Sequence, residues 1–377
     1  LRLFHGNDCS KCLLQAAITI VCNLGKDLMS YSYREIAAAT VLSLATLAPI
    51  SLARAADMAS FPVKAKPIAD LPFFLVNDNR VTFAYQFTAT QPGSAAKTAK
   101  QVYAFTHFDV WAYGTNFFNI DLLKSDRADP AGPCLGNTPV TGCAGATEIY
   151  GLIRSTFGFN EIFKTKAFSY GPLRNVSFLI GADANTENRF FGAAKRDIVA
   201  GLQFAFDLPY KGFFNVNPLY YKEINHNSYS QCGLFGPGVA GVTCNSDGNT
   251  EFKGTWAVEM NYYMDLGFLP PSLQYFAISG RAGFYGPKGN EANPLPFNAV
   301  TNTKTRTEIN SEPIRLTFDA SKAIWGEKYT HNVDLWVAYR YWDNKFGLDH
   351  AVSAACTGAV AGACTEKSLY SGISVKF

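Results

Sequence analysis

Charge is scarce in this sequence. Asp, Glu, Lys and Arg make up 17% of its 377 residues, and the two signs nearly cancel at a formal +3. Such a balance gives no basic face for a phosphate backbone, so nucleic acid is not an expected partner. Histidine is rarer still, with 5 in the chain. No Cys/His group has convincing zinc spacing, and neither a P-loop nor a dinucleotide loop is present, so no metal or cofactor is expected. No histidine sits in a Ser or Cys nucleophile motif, which argues against an outer-membrane hydrolase and against an enzyme in general. Beyond residue 55 there is also no apolar run near 20 residues, which excludes a membrane-spanning helix there.

What is plentiful is of another kind. Aromatics reach 14%, mostly Phe and Tyr, and there are 31 Gly and 18 Pro. Aromatic enrichment favours strands, and Gly and Pro punctuate them with turns.

The front of the chain reads as targeting sequence. Met29 opens "MSYSYREIAAATVLSLATLAPISLARAADM", in which Arg34 supplies positive charge, residues 36–53 are apolar or small, and Ala53 and Ala55 form a small-x-small cleavage site. Residues 29–55 are expected to be a signal peptide, and residues 1–28 an over-extended start without a role. A transmembrane anchor is the rival, but the run is short for one. Cys9 and Cys12 in "CSKC" have no partner pair and are set aside. Without residues 1–55 the chain keeps 28 basic and 27 acidic residues. Residues 56–79 read as a periplasmic leader and 80–377 as the folded body.

Six cysteines remain, as three close pairs: Cys134 with Cys143, Cys232 with Cys244, and Cys356 with Cys364. An even count in local pairs, behind an export signal, reads as three disulfides rather than free thiols.

From residue 80 onward, segments with period-2 alternation recur. "VTFAYQF" sets Val81, Phe83, Tyr85 and Phe87 against Thr82, Ala84 and Gln86, and "HNVDLWVAYRYW" sets Val333, Leu335, Val337 and Tyr339 against Asp334, Trp336 and Arg340. Twelve strands are expected: 80–88, 101–109, 115–123, 147–157, 174–183, 196–207, 212–223, 250–262, 274–285, 306–319, 331–343 and 367–377. A soluble sandwich would alternate too. Three features favour a closed antiparallel transmembrane β-barrel. The strands have spanning length, the polar parity carries full charges suited to a wet lumen, and short turns alternate with long loops. All three cysteine pairs fall in the long loops, which would lie outside the cell. Residues 158–173 are a longer inner connection. The chain closes on "SLYSGISVKF", in which Leu369, Ile373, Val375 and Phe377 alternate with Tyr370, Gly372, Ser374 and Lys376. A barrel has no free edge, so this last strand should pair with the first, and Phe377 resembles the signal read by barrel-assembly machinery.

Three stretches carry a family resemblance: "VYAFTHFDVWAYGTNFFNIDLL" (102–123), "AGLQFAFDLPYKGFFNVNPLYYKEIN" (200–225), and "WVAYRYWDNKFGLDH" (336–350). Over most of 80–377 the chain resembles the nucleoside-specific outer-membrane channels, the Tsx-like family. The hairpin and the Asn-Lys-Phe-Gly run are its most specific parts. The resemblance implies a twelve-stranded barrel in the outer membrane of a Gram-negative bacterium, passing nucleosides. The leader departs from the family's Trp-rich opening, and cysteine-stapled loops are not a family feature.

Twelve strands imply a narrow bore. The polar parity places Asp121, Glu148, Tyr150, Arg154, Asp207, Asn217, Glu251, Lys253, Arg281, Arg315, Asp334, Trp336 and Arg340 in the lumen. A ring of one sign would select ions, whereas this mixture suits a neutral polar solute. Binding stations are expected at Asp121, Glu148, Tyr150, Arg154, Glu251, Arg281, Arg315, Trp336 and Arg340, with Tyr150 and Trp336 offering faces for a planar base. The same charges could instead simply satisfy one another across the lumen. A non-selective small-solute porin and a structural or adhesive barrel acting through its loops are the alternatives. The expected assembly is a monomer contacting outer-membrane lipid.

Overall fold

The computed structural model describes residues 73–134, 142–189, 192, 194–226, 249–289 and 305–377. The signal peptide, the start before it, the leader to residue 72 and the Cys232/Cys244 pair lie outside the described residues. Among the described residues no helix is long and apolar enough to cross a membrane. The strands are β1 (Phe74–Ala89), β2 (Thr98–Trp111), β3 (Gly114–Ser125), β4 (Thr147–Gly158), β5 (Leu173–Glu187), β6 (Ala194–Leu208), β7 (Gly212–His226), β8 (Asn249–Glu251), β9 (Thr255–Asp265), β10 (Phe276–Tyr285), β11 (Glu308–Asp319), β12 (Val333–Asp343) and β13 (Thr365–Lys376). Two short helices, α1 (Phe159–Ile162) and α2 (Ala320–Trp325), sit in the β4–β5 and β11–β12 connections.

Twelve of these strands form one closed antiparallel ring. Sequential neighbours pair throughout, β9 pairs β7, and β13 pairs β1. The sealing ladder runs from Arg80 opposite Lys376 to Gln86 opposite Tyr370. β8 is a three-residue extension on β7, outside the ring. Closure gives every strand two partners, so no edge is left with unmet backbone groups.

The alternation resolves into two environments. Val81, Phe83, Ile120, Ile149, Ile180, Leu316, Leu335 and Val337 are exposed on the outer face. Their inward neighbours Thr82, Gln86, Asp121, Glu148, Thr317 and Asp334 line the inside. A belt of exposed apolar side chains around a closed barrel, on strands long enough to span a bilayer, is a transmembrane surface. Ile180→Arg, near the middle of β5, is therefore expected to destabilise the barrel by about 2–4 kcal/mol. Urea unfolding in phospholipid vesicles would measure it, and a shift of the midpoint no larger than that of Gln203→Arg on the inner face would contradict the assignment.

Two boundaries differ from the sequence expectation. β1 begins at Phe74 rather than 80, because the ladder to β2 continues down to Trp111. The segment 250–262 is two pieces. Three residues separate Tyr221 from Ile224 on β7, while four separate Thr255 from Glu251 opposite them. The extra residue reverses which face each side chain takes. In β11, Pro313 lies where the ladder to β12 shifts between Ser311 and Ile314, a position where its missing N–H costs no ladder bond.

Candidate functional site

The register places eight of the nine expected stations on the inward parity: Asp121, Glu148, Tyr150, Arg154, Arg281, Arg315, Trp336 and Arg340. Glu251 is the correction. It stands opposite Ile224 on the outward parity, and its exposed carboxylate meets Lys222 at 3.3 Å. Lys253 also leaves the lumen, in the break between β8 and β9, where its backbone N–H donates to the Lys288 carbonyl.

The lumen is not evenly open. Arg154 of β4 reaches Glu259 of β9, with three strands between them around the ring, at 2.7 Å from Nη2 to Oε1 and 3.0 Å from Nε to Oε2. Its Nη1 is held by Asp183 of the neighbouring β5. Gly181 faces Arg154 across the ladder, and a Cβ there would fall 2.5 Å from Arg154 Cδ. Behind this strut, Leu179, Val199, Leu219, Tyr221 and Ala257 pack into an apolar cluster with Tyr285 against it. The β5–β7–β9 side of the interior is therefore filled, and polar solute has no favourable path through it.

The other side is wet. Arg281, midway along β10, is exposed; Glu312 stands beside it on β11 and Tyr285 on its own strand, while Tyr150 and Asp121 act on it from the opposing wall. Asp121 of β3 is half-buried and takes one hydrogen bond, from Asn119 Nδ2 at 2.9 Å. Around them most charges are paired. Arg315 Nε lies 2.6 Å from Glu312, Arg340 Nε 3.2 Å from Glu366, and Lys100 Nζ 3.0 Å from Glu148. Trp336 offers no free face. It is 6% exposed, the Arg315 guanidinium covers its ring at 3.9 Å, Tyr370 abuts it, and Nε1 donates to Ser374. Gly372 makes room for that indole. Tyr150 donates its hydroxyl to Asp183 at 2.9 Å.

The long-loop end is dense in its described part. The 344–347 turn passes through left-handed residues Asn344, Phe346 and Gly347 and buries Lys345 against Glu366 and the Thr90 carbonyl. Leu348, Ala355, Cys356 and Cys364 form a small core there. The Cys356–Cys364 and Cys134–Cys143 disulfides are both present.

At the short-turn end, the β11–β12 connection folds inward. His331 Nδ1 lies 2.9 Å from Asp334, Nε2 lies 2.8 Å from the Tyr263 hydroxyl, and its backbone N–H donates to Asp319. Asp265 lies 3.5 Å from Nε2. Burial disfavours the imidazolium, but hydrogen bonds to Asp265 and Asp334 and the charges of Asp334 and Asp319 outweigh it, so its pKa is raised to about 9. Asp319, His331 and Asp334 lie close enough to surround an ion, and together they form an ion-pair knot. A cavity of about 30 Å³ beside it is lined by Lys211, Asp265, Gln274, Asp319, Lys322 and His331.

Sequence reasoning did not single out Glu259, Glu312, Glu366 or Tyr370. Glu259 and Tyr370 stood on the polar parity of their strands, which was the available signal. Glu366 fell just outside the expected 367–377 strand.

No family model and no curated protein matches the chain. Among solved structures it is similar to an outer membrane channel from Pseudomonas putida F1, at 11% identity and TM-score 0.37, covering 84% of this chain and 100% of that one. It is also similar to the beta domain of the Bordetella autotransporter BrkA, at 9% identity and TM-score 0.35, covering 80% and 99%. The translocator domain of the autotransporter NalP from Neisseria meningitidis matches at 8% identity and TM-score 0.34, covering 80% and 89%.

Proposed function

We propose that this chain is an outer-membrane channel for passive uptake of small polar solutes, with nucleosides as the candidate cargo, working in a Gram-negative bacterium as a monomer. The observation that carries this reading is an exposed arginine, Arg281, in the middle of a closed barrel whose outer face is apolar. Water reaches that side chain, so the β10–β13 and β1–β4 side of the interior is the route. Mixed charges along it favour weak, reversible contacts over ion selection. A nucleoside would use Tyr150 and Tyr370 as ring contacts, since Trp336 is covered. Export by the signal peptide and insertion by barrel-assembly machinery through Phe377 belong to the same reading.

The test is single-channel current in planar bilayers during titration with adenosine, with glucose as control. Concentration-dependent reduction by adenosine alone supports nucleoside uptake. Indifference to both leaves a general porin. A second reading is a structural or adhesive barrel, favoured by the compact disulfide-closed core around Leu348. It predicts a folded, heat-modifiable barrel without conductance.

A further inference from the structure

Most inward-facing charges on the described strands have an opposite charge in contact. Arg80 is bound by Asp78 and Asp334, Lys100 by Glu148, Arg154 by Asp183 and Glu259, and Lys195 by Asp197. Arg315 and Arg340 have Glu312 and Glu366. Glu308 lacks an ion pair, but it is buried and accepts from Trp342 Nε1 at 2.8 Å, so solute cannot compete for it. Among the described residues two accessible inward charges remain without a partner within 4.0 Å, and they have opposite signs: Asp121 on β3 and Arg281 on β10.

Their placement matters as much as their freedom. β3 and β10 stand on opposing walls, and each residue is among the charges that act on the other. Asp121 is the direct cross-strand neighbour of Tyr150, and Arg281 that of Asn261 and Glu312. The two charges therefore face each other across wet space on the unfilled side of the lumen. They do not meet within 4.0 Å, and Glu312, the acid beside Arg281 on β11, is already engaged by Arg315 at 2.6 Å.

We propose that Asp121 and Arg281 form a two-ended station for small zwitterions, with a solute ammonium at Asp121 and its carboxylate at Arg281. This rests on the channel reading above and names amino-acid-like solutes, beside the neutral nucleosides, among the small polar solutes it passes. A lone anion is drawn to Arg281 but repelled by Asp121, and a lone cation meets the reverse. A neutral solute gains at neither end. A zwitterion of matching length gains at both, through charge-assisted hydrogen bonds that are stronger than neutral ones.

The experiment uses the full chain in planar bilayers with four probes of similar size: L-serine, its cationic amide, glycerate and glycerol. Serine is expected to reduce the current at concentrations where the other three do not. Arg281→Gln and Asp121→Asn should each weaken that effect roughly tenfold, the loss of one charge-assisted bond. The exchanged pair Asp121→Arg with Arg281→Asp should recover discrimination of serine over glycerol, and it keeps the test informative if a single variant misfolds. Conducting wild-type channels that treat serine like glycerol overturn the station. So does a serine preference that survives both single variants. Block by adenosine without block by serine overturns the station while keeping the nucleoside reading. A folded barrel with no current in any arm overturns the channel itself.

Discussion

Arg154→Ala is expected to be the most damaging single substitution inside the barrel. The guanidinium is the counter-charge for two acids, Asp183 on the adjacent strand and Glu259 across the lumen, and its own side chain is only 10% exposed. Removing one partner of a buried pair leaves the other charges desolvated without compensation, at about 3–5 kcal/mol. Tyr285 Oη donates to Glu259 at 3.0 Å and would be the main hydrogen-bond donor left to that carboxylate. The expected result is a lower urea midpoint together with a larger single-channel conductance, because the strut that walls off the β5–β7–β9 side is gone. Arg154→Met with Glu259→Gln removes both charges and should recover much of the stability while keeping the wider pore. A loss below about 0.5 kcal/mol for Arg154→Ala, the size of an ordinary surface change, would mean that water already screens the strut.

How much of this could be read in the sequence depends on the range of the physics involved. The outer face was legible because lipid imposes one demand on every second residue: Ile180, Leu335 and Val337 follow from alternation alone. The pairing of β13 with β1 was legible because a barrel in lipid must close. The start of β1 was not, since Phe73, Phe74, Leu75 and Val76 are continuously apolar and show no alternation to mark a boundary. Glu251 was misplaced by a single extra residue in the β7 pairing, which turns its side chain outward, and local pattern cannot register a bulge set by a partner strand. The inward parity of Arg154 and Glu259 was visible, but their contact was not, because 105 residues separate them. Trp336 illustrates the same limit. Its position facing inward was readable, while its cover by Arg315, Tyr370 and Ser374 is a tertiary fact. The free pair Asp121 and Arg281 emerges only once the partners of the other charges are known, so no sequence pattern distinguishes it.

Alkaline pH is expected to loosen the short-turn end through His331. The folded-state pKa of about 9 lies above the ordinary value of 6.5. A group whose pKa rises on folding contributes stability that is fully present below pH 6.5, declines as pH rises, and is gone once pH has passed 9. The shift corresponds to about 3 kcal/mol at full strength. The physical event is the loss of the imidazolium charge held among Asp265, Asp319 and Asp334, with Arg80, which Asp78 also engages, left as the cation on Asp334. Lys211 and Lys322 line the adjoining cavity, and Lys322 is already engaged by Glu327 at 3.1 Å, so it is a poor substitute. His331→Gln keeps a side chain capable of hydrogen bonding but removes the titration. Wild type should therefore lose stability between pH 6.5 and 9 relative to that variant, as read by paired urea titrations across the window. Parallel curves for the two proteins would show that the imidazolium does not hold the β11–β12 connection. The knot bridges β9 and the β11–β12 turn across the ends of β10 and β11, so its release should also raise backbone amide exchange at Val333 and Asp334 before the rest of the barrel responds.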